Sequence, residues 1–165
     1  MTYAVTDCRI GTQPIADTET EAKHKLGTIV RAIDPTYGEA EFIYLKGVAS
    51  TAVGSLVTYN TSGFTTALAA VGTNKPQPIA VAMSANVANQ YGWYQISGVA
   101  VMAKTCTVSL AANAAVGVLT AGLVAGTGSG KEIQGALVAA VASAKAGRTT
   151  AQVVISRPTM QGRIT

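Results

Sequence analysis

Few positions in this chain could carry chemistry, and the first to weigh is the run AGTGSGKE at 125–132. A phosphate-cradling loop follows GxxxxGK[ST], with backbone amides on the phosphates and the final hydroxyl on magnesium. Here Ala125 replaces the first glycine and Glu132 replaces the hydroxyl, and a carboxylate there repels phosphate. The run also fails as a nucleophile elbow, GxSxG, because position 127 is Thr and glycines flank Ser129 directly. It reads as a hairpin loop.

General acid–base and metal chemistry draw on Asp, Glu and His, yet beyond Glu41 the only carboxylate is Glu132 and the sole histidine is His24. A Ser/His/Asp triad would have to recruit His24 from a segment with no fixed surroundings, so His24 reads as a solvated residue. Cys8 and Cys106 lie far apart with no CxxC spacing, which gives zinc no site. Two free thiols are expected, a Cys8–Cys106 bridge being the lesser alternative in a reducing compartment. Lys46, Lys75, Lys104 and Lys131 stand singly, without interleaved aromatics, and read as loop-tip lysines that blunt sheet edges rather than a phosphate-tracking stripe. Tyr91, Trp93 and Tyr94 are the densest aromatic group, either a core contact or an interface anchor. No catalytic, cofactor-binding or metal-ligating residue is assigned: the chain reads as a non-enzyme with no cofactor.

The elements that would position these residues are read from composition and pattern. In 165 residues, 48% are hydrophobic and only 12% charged, about half the usual charged share, so the chain fits an assembly subunit with a mild, small-residue exterior. The net charge of +4 is uneven. Residues 1–41 hold seven carboxylates against four cations, net −3, while residues 42–165 hold eight cations against one carboxylate, net +7. An acidic leader can lie on a basic body, its own kind's or another's. Residues 1–25 contain no apolar run behind a positive start, so a protein made and used without export is expected.

Residues 1–26 follow no sustained period and read as an extended N-terminal arm; residues 27–165 read as a single β-rich domain. GTIVRAI (27–33) and EAEFIYLKGV (39–48), joined by DPTYG, predict an antiparallel hairpin. Short runs at 55–60, 78–85, 91–104 and 106–111, punctuated by Gly, Asn and Pro, favour a compact all-β, antiparallel barrel or sandwich. The stretch 133–147 also satisfies helical spacing, but a strand is preferred because it echoes an earlier one. VGSLVTY (53–59) is echoed by VGVLTAG (116–122), PIAVAMSA (78–85) by IQGALVAAVA (133–142), and WYQISGV (93–99) by AQVVISRP (151–158). The echo predicts a duplicated β unit, chance similarity in Ala/Val/Gly-rich sequence being the alternative.

The run LGTIVRAIDPTYGEAEFIYLKGVASTAVGSLVTYN (26–60), with the YQISGVAVMAKT, IQGALVAAVASA and AQVVISRP blocks, resembles the decoration (cement) proteins of tailed-bacteriophage heads. The resemblance implies a small, β-rich, commonly trimeric subunit that binds the major capsid protein on the outer capsid surface of the virion, after synthesis in the host cytoplasm. It implies a homotrimer without catalysis, small-molecule substrate, nucleic acid or membrane. It transfers no individual binding residue. A tail or spike component, and a carbohydrate-binding β module using Tyr91 to Tyr94 beside Asn86 and Asn89, are the alternatives.

Overall fold

The turn that starts the β architecture is local chemistry. Asp34 Oδ1 accepts the backbone N–H of Thr36 at 2.8 Å and of Tyr37 at 3.0 Å, and Gly38 takes a left-handed φ of +76°. The side chain thus closes a turn whose exit needs a positive φ, which glycine adopts without the backbone strain an L side chain would carry. In the computed structural model, which describes residues 4–6, 11–70, 76–105, 107–144 and 149–162, the flanking runs pair in register from Ile29↔Ile43 to Asp34↔Gly38. The predicted hairpin is present.

The strands are β1 (Ala4–Val5), β2 (Thr18–Glu19), β3 (Ile29–Asp34), β4 (Gly38–Lys46), β5 (Leu56–Tyr59), β6 (Thr66–Leu68), β7 (Ile79–Ala82), β8 (Tyr91–Ala103), β9 (Ala115–Thr120), β10 (Leu123–Gly126), β11 (Glu132–Val138) and β12 (Thr150–Met160). All pair antiparallel in one sheet of order β1-β3-β4-β8-β12-β11-β9-β10, with β2, β5, β6 and β7 attached off that path. The fold is all-β, as the turn-punctuated runs predict. Of the stretch 133–147, residues 133–138 belong to a strand rather than a helix, Ala136 and Val138 alternating inward with Leu137 outward; the strand ends at Val138, residues 139–144 form no strand, and 145–147 lie outside the described residues.

The longest strand, β8, organises the rest. Gln95 pairs with both Phe42 and Val81, and Ser97 with both Glu41 and Ser156, so both edges of its first half are occupied. Both faces are occupied as well. Trp93 joins Phe42, Tyr44, Val30 and Ile15 in one apolar cluster, while Tyr94 and Ile96 join Ile43, Leu45 and Val57 in another. A run buried on two faces loses the apolar–polar alternation of a half-exposed strand, and YGWYQI accordingly has Gln95 as its one strongly polar side chain, itself buried and hydrogen-bonded. Beyond Ser97 the strand alternates, with Ala100 and Met102 in a third cluster built mainly from β9 to β12. Around that cluster the sheet curls in a barrel-like way, returning to the end of β8 through a parallel bridge, Lys104↔Val124.

The described part of residues 11–26 lies along this body. Ile15 is buried in the Trp93 cluster, β2 pairs with Tyr91 and Gly92, and the Ser84 hydroxyl donates to the Asp17 carbonyl at 3.2 Å.

The sequence echo corresponds to a repeated topology. β5 pairs with β6 and β7, and β7 with β8; β9 pairs with β10 and β11, and β11 with β12. Register fixes the correspondence: Ala82↔Tyr94 in the first unit matches Val138↔Val153 in the second, and Leu56↔Val81 matches Ala115↔Leu137. The first echo therefore corrects. Sequence sets Gly54 against Gly117, whereas pairing sets Leu56 against Ala115, because backbone partners, not similar letters, define the strand position. The two units meet where Ser97 pairs with its own counterpart, Ser156.

The next residue in each unit has a left-handed backbone: Gly98 at φ +94° and Arg157 at φ +43°. In the first unit the Gln95 side-chain amide donates to the carbonyls of Ser97 at 3.1 Å and Val99 at 3.0 Å, holding the bend from both sides. A Cβ at Gly98 would meet the Glu39 carbonyl oxygen at 2.7 Å, so only glycine fits. Gly98→Ala should lower stability by roughly 2 kcal/mol or more in urea unfolding. Arg157→Gly should leave stability unchanged or raise it by about 1 kcal/mol, since it releases a left-handed non-glycine residue. Equal losses in both variants would refute the assigned asymmetry.

Candidate functional site

Past the bend at Gly98, the outward side of the curled sheet is open. Inward positions Ala151, Val153 and Ile155 on β12 fill the core, leaving Gln152, Val154 and Ser156 outward. Register then lines up a row of apolar side chains across four strands: Val99↔Val154, Val154↔Leu137 and Leu137↔Ala115. Leu137 is 49% exposed and Val154 46%, high for large apolar residues in regular strands. They border a shallow groove of about 400 Å³ floored by Ile133, Ala136 and Ile155.

One step along the strands runs a polar row. Arg31↔Glu41, Glu41↔Ser97 and Ser97↔Ser156 place these residues side by side on β3, β4, β8 and β12. With Glu39 and Arg157 they line a cleft of about 410 Å³. Both oxygens of the Glu41 carboxylate are engaged: Arg31 Nε lies 3.4 Å from Oε1, and Arg157 Nη2 and Nε lie 3.2 and 3.3 Å from Oε2. The Glu41 side chain is only 19% exposed, but those of Arg31 and Arg157 are 70% and 67% exposed. An ion pair so open to water returns at most about 1 kcal/mol, no more than the ~1–2 kcal/mol that a left-handed non-glycine residue costs. Arg157 is therefore poorly explained by stability alone. The face offers apolar contact beside oriented charge, which suits adhesion.

The residues singled out from sequence lie elsewhere. Trp93 and Tyr94 are fully buried on opposite faces of β8, so the core alternative holds for them. Asn86 is also fully buried, leaving half-buried Tyr91 and exposed Asn89 as the parts of that group open to a sugar. His24 is not a solvated side chain. Its ring meets Tyr44 edge-on at 5.2 Å and Trp93 at 5.3 Å, and its Nε2 is buried. The reason is the β2 pairing, which draws the following residues over the aromatic pair, with the Lys23 backbone N–H donating to the Tyr44 hydroxyl at 3.3 Å.

Lys104 corrects the loop-tip expectation. It is buried, and its ammonium donates to the carbonyls of Val108 at 2.9 Å and Thr105 at 3.2 Å, tying down the segment after β8. Lys46 and Lys131 are half-buried, and Lys75 lies outside the described residues. The run 125–132 starts at the end of β10 and finishes at the start of β11, with a loop over 127–131 that is not a hairpin turn, because β9 lies between β10 and β11; a turn closes it through Lys131 N–H to the Gly128 carbonyl at 2.9 Å. Cys8 and Cys106 fall outside the described residues. Among the described residues no three His, Cys, Asp or Glu side chains gather as a metal site would require, and no helix is long and apolar enough to cross a membrane.

Sequence reading missed the Arg31–Glu41–Arg157 cluster, whose last two members are 116 positions apart. One signal was available: in the echoed ISG and ISR triplets, Arg157 stands where the first unit has Gly98. No protein-family model matches this chain, and no curated protein matches it.

Burial pushes the Tyr94 hydroxyl up to about 12, with Thr66 and Asn86 pulling it partly back, and burial raises Tyr44 and Tyr59 in the same direction. The neutral phenol is favoured in the fold, so the unfolded chain releases its proton first, near pH 10. The stability linked to Tyr94 is then fully present below pH 10 and lost as pH rises through about 12. Tyr94→Phe should flatten that loss by about 2–3 kcal/mol in urea unfolding at successive alkaline pH values; an unchanged slope would count against burial as the cause.

Proposed function

We propose that this chain is a structural virion protein that binds the outside of a tailed-phage capsid and braces contacts between major capsid protein subunits. The observation that carries the reading is the open sheet face, where half-exposed Leu137 and Val154 run beside the Arg31, Glu41 and Arg157 row. Apolar side chains aligned in this way gain most when another surface covers them. The sequence resemblance supplies the class of surface, and the chain's low charged fraction, 12%, is compatible with extensive contact.

The physical function follows from linkage. A protein that binds the assembled lattice, and not the free subunit, stabilises the lattice as a ligand stabilises the state it prefers. Many copies with modest contacts suffice, since each contact adds to the work of opening the shell. A rigid β body suits that role because it loses little conformational freedom on docking. The basic body, net +7 over residues 42–165, would favour acidic patches on the shell during encounter.

Purified protein mixed with undecorated heads should co-sediment to saturation in a fixed ratio to the major shell subunit and should raise the temperature at which the heads release DNA. Absence of co-sedimentation at low and moderate salt would refute the reading. Binding to immobilised glycans in its place would move the protein to the carbohydrate-binding class.

A further inference from the structure

We infer that the groove beside the start of β12 is a docking site for an extended segment of the shell subunit, which lies on the second unit as leader residues 15–24 lie on the first. The inference deepens the reading of the chain as a capsid-binding subunit, and rests on it, by naming the place and the form of one contact.

The duplication locates the site. Met83 N–H donates to the Trp93 carbonyl at 3.3 Å, and Ala139 N–H to the Gln152 carbonyl at 2.8 Å. These bonds continue the matched pairs Ala82↔Tyr94 and Val138↔Val153, so Trp93 corresponds to Gln152 and Tyr91 to Thr150. The strands on the other side correspond as well, with Tyr44↔Trp93 in the first unit and Val101↔Gln152 in the second. Strand direction and hydrogen-bond phase together fix the side a residue takes, so Val101 and Gln152 belong to the face that Tyr44 and Trp93 occupy in the first unit.

In the first unit that face and the edge beside it are covered by the leader. Glu19 pairs with Tyr91 and Thr18 with Gly92, Ile15 is buried in the Trp93 cluster, and the His24 ring rests on Tyr44 and Trp93. In the second unit, among the described residues, no strand pairs with Thr150 and Ala151 on the β11 side. A groove of about 260 Å³ stands there instead, bordered by Val101, Val141, Thr150, Gln152 and Tyr37, whose hydroxyl accepts the Gln152 side-chain amide at 3.4 Å. Val141 is 67% exposed, more than any other large apolar residue among those described.

The occupant follows from what is already committed. Each chain has one leader, and its residues 15–24 are held on their own body by Ile15, β2 and the bond from Ser84 to Asp17. A second copy cannot lend that segment without giving those contacts up. A separate extended segment fits, because a strand edge beside aliphatic side chains takes one by adding backbone hydrogen bonds and seating alternate side chains. No ionised side chain lines the groove, so the entering segment is uncharged there, with an aliphatic residue against Val101 and Val141 and backbone against the Thr150 edge. On the proposed function, the shell subunit supplies it.

Undecorated heads and the full-length chain provide the test. On the heads, the Thr150 amide should exchange with deuterium about tenfold more slowly than in the free chain. Val141→Arg, at an exposed position outside the strands, should keep the circular dichroism of the wild type and bind heads about tenfold more weakly. A photo-crosslinking side chain in place of Val141 should join the protein to one short segment of the major shell subunit. Unchanged Thr150 exchange, full-strength binding of Val141→Arg, or cross-links only to a second copy would each overturn the inference while leaving the decoration reading in place. Failure of the wild type to bind heads at all would remove the decoration reading, and the shell segment with it.

Discussion

Two occupied edges and two covered faces over the first half of β8 are the constraint on which the structure depends. From Tyr91 to Ser97 the strand has β4 on one side and β2, β7 and β12 in turn on the other. Its backbone groups are committed to neighbours, and its side chains enter separate apolar clusters above and below. A one-residue shift in register would move Trp93 and Tyr94 to each other's face at once. That penalty holds the leader segment, the hairpin and the two four-stranded units in one arrangement.

The bend at Gly98 is where this closed half gives way to an open one. Glycine is required because the Glu39 carbonyl and Ala40 leave no room for a Cβ. Past it, β8 and β12 run side by side as counterparts, and only their inward positions are covered. The repeated pairing of β5 to β8 and β9 to β12 makes the two units alike in path. Their environments differ, because the first is wrapped by β2, β3 and β4 and the second is not. The outward row on the second unit is exposed for that reason, and Arg157 appears at the junction where the wrapped unit has glycine.

The adhesive role proposed above draws on these features together. The body has few charges, its buried cation Lys104 is held by carbonyls, and its aromatic residues Trp93 and Tyr94 are spent on the core. What reaches solvent in order is an apolar row beside a balanced set of charges. Such a surface gains free energy by removing apolar area from water and gains orientation from the ion pairs, with little demand for motion.

Sequence alone indicated the β class, the turn at 34–38 with its hairpin, and a strand rather than a helix within 133–147, because period-two alternation and turn residues act locally. It also placed Trp93 and Tyr94 among the candidates for core. Tertiary structure decided which side of each alternating strand was covered, since alternation marks two faces without saying which will meet a neighbour. It decided that His24 lies against Tyr44 and Trp93 and that Lys104 is buried, both consequences of strand pairings and chain returns distant in sequence. The Arg31, Glu41 and Arg157 cluster belongs to the same category. Its members are ordinary surface residues until β4, β8 and β12 align, and that alignment is set by long-range register that no local pattern encodes.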